Sequence, residues 1–127
     1  MATRAEIIVE GVDFAKVYKH YDGYPEGTLP WLRKFHTEFI NIRGEDPEYE
    51  FAQLLRSSWR DAEEFGLDDS KTTGWGVIPF NANCGAEYRY VLKGNGDIEI
   101  FGVFYELDED DGSIKSIKWK KIRNIRS

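Results

Sequence analysis

The sequence has a single cysteine, Cys84, so no disulfide can close within the chain. That excludes the bridged framework of small secreted domains and fits a reducing compartment. No apolar run approaches the ~18 residues that a membrane-spanning helix needs. The opening "MATRAEIIVEG" lacks the charged-then-apolar form of a secretion signal, and no Asn-x-Ser/Thr acceptor occurs. Phosphate-loop, His-Glu-x-x-His, nucleophile-elbow and zinc-finger spacings are missing too. These absences predict a soluble, cytoplasmic protein with no metal, no cofactor and no membrane partner.

What is present suffices for a core. At 127 residues and 41% hydrophobic, the chain can fold as one domain, 1–127, without staples. The net charge of −6 is uneven. Residues 113–127 carry Lys115, Lys118, Lys120, Lys121, Arg123 and Arg126 with no acid, so residues 1–112 carry −12. An acidic body repels nucleic acid, and the basic tail is the one segment that opposes this.

Two β-rich runs, 5–11 and 14–22, meet at a turn around Gly11 to Asp13. Thr28 as N-cap and Pro30 in the first turn predict a helix that Gly44 stops. Its apolar stripe is Leu29, Leu32, Phe35, His36, Phe39 and Ile40. Asp46-Pro47-Glu48 starts a second helix with a stripe of Phe51, Leu54, Leu55, Ser58, Trp59 and Ala62, closed by Gly66. Residues 67–74 read as a polar loop. Residues 75–80 read as a short strand that Pro79 confines to an edge or an end. Asn95-Gly96 and Asp111-Gly112 signal two hairpins near the C-terminus. A two-residue turn at Asn95-Gly96 would put Tyr88, Tyr90 and Leu92 on one core face with Phe101, Val103 and Tyr105. Ile98 and Ile100 would then face away, which is less easily explained. Strands, helices, then strands without βαβ alternation predict an α+β fold: a mainly antiparallel sheet of about five or six strands packed against two helices.

The stretch "KHYDGYPEGT" (19–28) concentrates the candidate chemistry. His20 and Asp22, spaced i, i+2, would project from one face of an extended strand, with Tyr24 and Glu26 following. An imidazole oriented by a carboxylate can serve as a general acid or base. Free N–H groups of the helix start after Gly27 can hold an anion. The competing reading is a turn: Asp-Gly and Tyr-Pro are turn dipeptides, and Asp22 can make an Asx-turn.

"MATRA" followed by "HYDGYPEG", and later "NCGAEYRYVL" (83–92), resemble a family of small uncharacterised proteins from phages, prophages and microbial genomes. Those proteins carry an N-terminal Thr-Arg, a His-aromatic-Asp-Gly-Tyr-Pro-x-Gly loop and a Cys-Gly-x-Glu-Tyr-x-Tyr strand. The likeness spans about a third of the chain and departs after Gly27, where "TLPWL" replaces the usual small or glycine-rich helix start. It implies no established activity. It does imply that the loop and the later strand meet, and it adds Arg4 and Glu87 to the residues of interest. The candidate binding set is therefore Arg4, His20, Asp22, Tyr24, Glu26 and Glu87, with His20 and Asp22 as catalytic candidates.

Other motifs favour structural readings. Cys84 has no local base and reads as a small packed thiol. His36 reads as a hydrogen-bonded histidine of the core or its boundary. "GNGDIE" (94–99) lies between strands and lacks a third glycine. "LDEDDG" (107–112) lacks calcium-loop spacing and reads as a hairpin tip whose acids face the basic last strand. The leading functional expectation is a non-enzymatic protein of phage or prophage type whose loop binds a small ligand or a protein partner. The alternatives are a small hydrolase of the phosphoester class using His20 and Asp22, and a nucleic-acid contact through the basic last strand, which the acidic body disfavours.

Overall fold

The computed structural model describes residues 3–57 and 74–127. The elements run β1 (Ala5–Val9), β2 (Ala15–Lys19), α1 (Pro25–Arg43), α2 (Pro47–Arg56), β3 (Trp75–Pro79), β4 (Tyr88–Leu92), β5 (Ile98–Leu107) and β6 (Ile114–Ile125). The six strands form one sheet in the order β3-β2-β1-β4-β5-β6. Among the described strands only the central β1–β4 pair is parallel. This is the α+β domain that the order of elements predicts, with a mostly antiparallel sheet and two helices.

Period-two alternation places Ala5, Ile7 and Val9 of β1, Ala15 and Val17 of β2, and Tyr90 and Leu92 of β4 on the helix side. They form one core with Leu32 of α1 and with Phe51 and Leu54 of α2. Leu32 and Leu54 are fully buried, each worth about 1.5–3 kcal/mol of apolar burial. Ser58, Trp59, Ala62 and Gly66, which the sequence assigns to the second helix, lie outside the described residues, as do residues 67–73 of the expected loop 67–74.

Two expectations need correction. The first helix begins earlier than Thr28: Tyr24 is the N-cap and Pro25 occupies the first turn. Pro25 has no N–H to leave unsatisfied and its φ is already helical. Thr28 is instead buried inside the first turn, where its hydroxyl donates to the Asp22 carbonyl at 2.7 Å. Pro30 lies inside the helix.

The second correction is the β4–β5 register. Gly96 takes φ +97° and closes a loop in which Lys93 N–H donates to Asp97 O. Leu92 therefore pairs with Ile98, and Tyr90 with Ile100. One residue more than a two-residue turn flips every β5 side chain. Ile98 and Ile100 enter the core, and Phe101, Val103 and Tyr105 leave it. The second hairpin is also longer than its Asp-Gly dipeptide suggests, since Leu107 pairs with Ile114.

β4 covers β5 only as far as Gly102. Val103 N–H still donates to Glu87 O, and beyond it β5 and β6 continue among the described residues as a two-stranded arm, from Phe104 paired with Lys118 to Leu107 paired with Ile114. Phe104, Leu107 and Ile114 are each more than half exposed there.

Candidate functional site

Loop 20–28 leaves the end of β2 and turns across the start of β1. Several of its backbone groups are satisfied inside the protein. Gly23 N–H donates to Thr3 O at 2.9 Å, and the buried Tyr90 hydroxyl donates to Gly23 O at 2.6 Å. His20 N–H donates to Gly74 O at 2.8 Å. Burial holds the Tyr90 phenol well above its ordinary range, so its proton stays available for that bond. Both glycines are sterically required. A Cβ at Gly23 would stand 2.7 Å from Ala5 Cβ, and one at Gly27 would stand 2.8 Å from Asp22 O. Asp22 sits at φ +52° in the left-handed region, which Asp tolerates better than most residues.

The candidate acid–base pair is not assembled. The i, i+2 argument requires extended chain through Asp22, but β2 ends at Lys19 and Asp22 has turned left-handed. His20 Nδ1 shares a 2.5 Å hydrogen bond with Tyr18 Oη, and its ring meets Tyr21 edge-on at 4.6 Å. The Asp22 carboxylate instead accepts from Tyr24 Oη at 3.1 Å, and this bond raises the Tyr24 phenol above its usual range.

Arg4 and Glu87 do flank the loop. Glu87 N–H donates to Arg4 O at 2.9 Å, and Thr3, which holds Gly23, is the neighbour of Arg4. Three segments thus meet at one end of the sheet: residues 20–24, 3–4 and 85–87. Both charged side chains are exposed, and the Arg4 guanidinium lies against Gly85. Tyr21 and Tyr24 are 43% and 38% exposed, which leaves an aromatic rim on a fixed loop. Glu26 stands apart, exposed on the first turn of α1, beside a cleft of about 250 Å³ that Leu29, Arg33 and Arg123 also line. A larger groove of about 570 Å³ runs between α1 and α2 past Phe35, Phe39, Tyr49, Arg43 and Arg56.

Buried charge elsewhere escapes the sequence motifs. On the face away from the helices, Glu6 is buried with Lys16 at 2.6 Å and Arg89 at 2.5 Å, and Arg89 stacks on Trp119 at 4.4 Å. Cys84 Sγ lies 4.0 Å from Glu6. Burial, followed by the Glu6 charge, pushes the Cys84 thiol up, away from nucleophilic thiolate character. On the helix side, buried Lys19 lies 5.9 Å from the ring centres of Trp31 and Trp75. Its place in phase with Ala15 and Val17 was the available signal. His36 is buried and fully bonded: Nε2–H donates to Lys93 O at 2.9 Å, and Nδ1 shares a proton with Glu50 Oε2 at 2.5 Å. It joins α1, α2 and the β4–β5 loop.

The basic strand is answered mainly by β5, not by the hairpin tip. Lys118 pairs with Glu106 at 2.9 Å and Lys121 with Glu99 at 2.5 Å. Asp108 and Asp111 accept from the tip's own backbone. Among the described residues, no three His, Cys, Asp or Glu side chains group to hold a metal ion, and no helix is long and apolar enough to cross a membrane. No protein-family model, curated protein or solved structure matches the chain.

Proposed function

We propose that this is a non-enzymatic binding protein whose loop 20–28 recognises a protein partner. The observation that carries this reading is the loop's construction. Its backbone is pinned to Thr3 and Tyr90 and its glycines admit no side chain, yet Tyr21 and Tyr24 stay exposed. A rigid loop loses little entropy on binding, and tyrosine supplies large contact area at low rotamer cost. Arg4 and Glu87 add a charged flank that sets orientation. The rim is aromatic and exposed, which suits contact with a protein surface. The likeness of this loop and of the Cys-Gly-x-Glu-Tyr-x-Tyr strand to those of small phage and prophage proteins supports a shared role for the two segments.

The test is site-specific photo-crosslinking in the native cells. A benzophenone amino acid replaces Tyr21, Tyr24 or, as a control, Ile42, which is 85% exposed at the far end of α1. One and the same protein captured from positions 21 and 24, and not from 42, is the expected result. Capture that does not distinguish the loop from Ile42 would overturn the proposal. A phosphomonoester panel addresses the hydrolase alternative: turnover by the parent that His20→Ala abolishes would replace this reading with an enzymatic one.

A further inference from the structure

We infer that β6 pairs antiparallel with β6 of a second copy of this chain, across a two-fold axis at Lys118. This interface is separate from loop 20–28. β6 is a twelve-residue strand at the edge of the sheet, so one row of its backbone N–H and C=O groups faces outward. The arm that it forms with β5 beyond Val103 has no third strand among the described residues. A two-stranded ribbon is marginal in water on its own. This one also exposes Phe104, Tyr105, Leu107, Ile114 and Ile117.

Charge and side-chain order select the occupant. The tip carries Asp108, Glu109, Asp110 and Asp111, and the other end of β6 carries Arg123 and, just beyond it, Arg126. Antiparallel pairing of two copies lays each acidic tip beside the other copy's basic end. A parallel, in-register arrangement would oppose like charges along the whole strand, whereas the antiparallel one opposes them only at Lys118 on the axis and between Lys115 and Lys121 of the two copies. With Lys118 on the axis, Ile117 of each copy stands opposite Trp119 of the other. Ile117 and Trp119 share one face of the arm, since they pair with Tyr105 and Val103 on β5. Two apolar cross-strand pairs thus flank the axis on one face.

Edge lysines normally block such pairing. Here Lys118 and Lys115 reach back over β5 to Glu106, and Lys121 reaches Glu99. Lys118, Lys115 and Lys121 are therefore drawn away from the open edge, and exposed Lys120 would lie opposite Ser116 of the other copy. The resulting interface is a strand pair joined by backbone hydrogen bonds and closed by symmetry, so it stops at two copies.

Two measurements on the full chain test this. Residues opposite themselves in an antiparallel pair have Cα atoms about 4.5–5.5 Å apart, within disulfide reach. Lys118→Cys in a Cys84→Ser background is therefore expected to form a covalent dimer under mild oxidation. Thr37→Cys, on an exposed face of α1, is expected not to. Sedimentation of the parent at about 100 μM should show twice the 14.8 kDa chain mass. Ile117→Lys, at a site already 39% exposed, should weaken the dimer at least about tenfold, or 1.4 kcal/mol, with its urea midpoint unchanged at low concentration. A single-chain mass throughout would overturn the inference. So would a dimer that neither cross-links at position 118 nor responds to Ile117→Lys. Neither result bears on capture at Tyr21 and Tyr24.

Discussion

Gly23→Ala is expected to destabilise the protein by about 2–3 kcal/mol, within the range of overpacking. The added Cβ would lie 2.7 Å from Ala5 Cβ, 2.9 Å from Ala5 N and 2.9 Å from the Arg4 carbonyl carbon. Carbon atoms in contact prefer about 3.5–4.0 Å, so the overlap approaches an ångström. Ala5 cannot retreat, because it is fully buried and held between Lys19 of β2 and Tyr88 of β4. Gly23 cannot retreat without stretching its bonds to Thr3 and Tyr90, each worth about 1 kcal/mol net. Overpacking alone costs about 1–3 kcal/mol. Stiffening of the unfolded chain returns about 0.4–1 kcal/mol. Urea titration of parent and variant, compared at equal slope, reads the difference. Asp22→Gly is the matched control. Relief at φ +52° is offset by a looser unfolded chain, so it should stay within about 0.5 kcal/mol of the parent. A Gly23→Ala variant as stable as the parent would refute the claim that this glycine is required by contact with β1.

Ile100→Ala should cost about 2–4 kcal/mol, and Phe101→Ala clearly less, because the register buries the first and leaves the second half-exposed; the reverse order in urea melts would restore the two-residue turn. Glu50→Ala should cost about 3 kcal/mol, since it leaves buried His36 without its carboxylate; a loss under about 1 kcal/mol would place that pair in water. Stability should fall on acidification below about pH 4. Asp97, held low by Ser127 N–H, and Glu10, held low by Gly94 N–H and then Lys93, have depressed folded values. Their contribution is present above the unfolded values and is lost as pH falls through the folded ones, so Asp97→Asn should shrink the acid loss in melts at pH 7 and pH 3.

The sequence was most readable where local chemistry decides the outcome. Pro79 confines β3 to the edge, Gly44 ends α1, and Asp46-Pro47 opens α2, each through a backbone constraint that acts within a few residues. It was less readable where one residue changes a register. Asn95-Gly96 marked the hairpin, but a left-handed glycine suits both loop lengths, and only the Lys93 N–H bond to Asp97 O reveals the extra residue that turns Ile98 and Ile100 inward. The helix start was ambiguous for a similar reason. Pro25 and Pro30 both suit a first turn, and the burial of Thr28 beneath Asp22 decides between them. At the site, His20-x-Asp22 implied a shared face only if the strand continued, and the strand stops at Lys19. The approach of the "CGAEYRY" segment to the loop is realised through Tyr90, whose hydroxyl reaches Gly23. The buried Glu6–Lys16–Arg89 group stayed hidden because Arg89 comes from 83 residues away.

Native-state hydrogen exchange at the Gly23 amide tests most directly whether loop 20–28 is a rigid recognition platform. The amide is bonded to Thr3 O and lies beside the buried Tyr90 hydroxyl. It should therefore exchange only through global unfolding, with the same free energy as core amides such as that of Ile7, and Tyr90→Phe should lower that free energy by about 1 kcal/mol or more. Exchange of Gly23 several kcal/mol more easily than Ile7, unaffected by Tyr90→Phe, would show a loop that opens on its own and would contradict the platform.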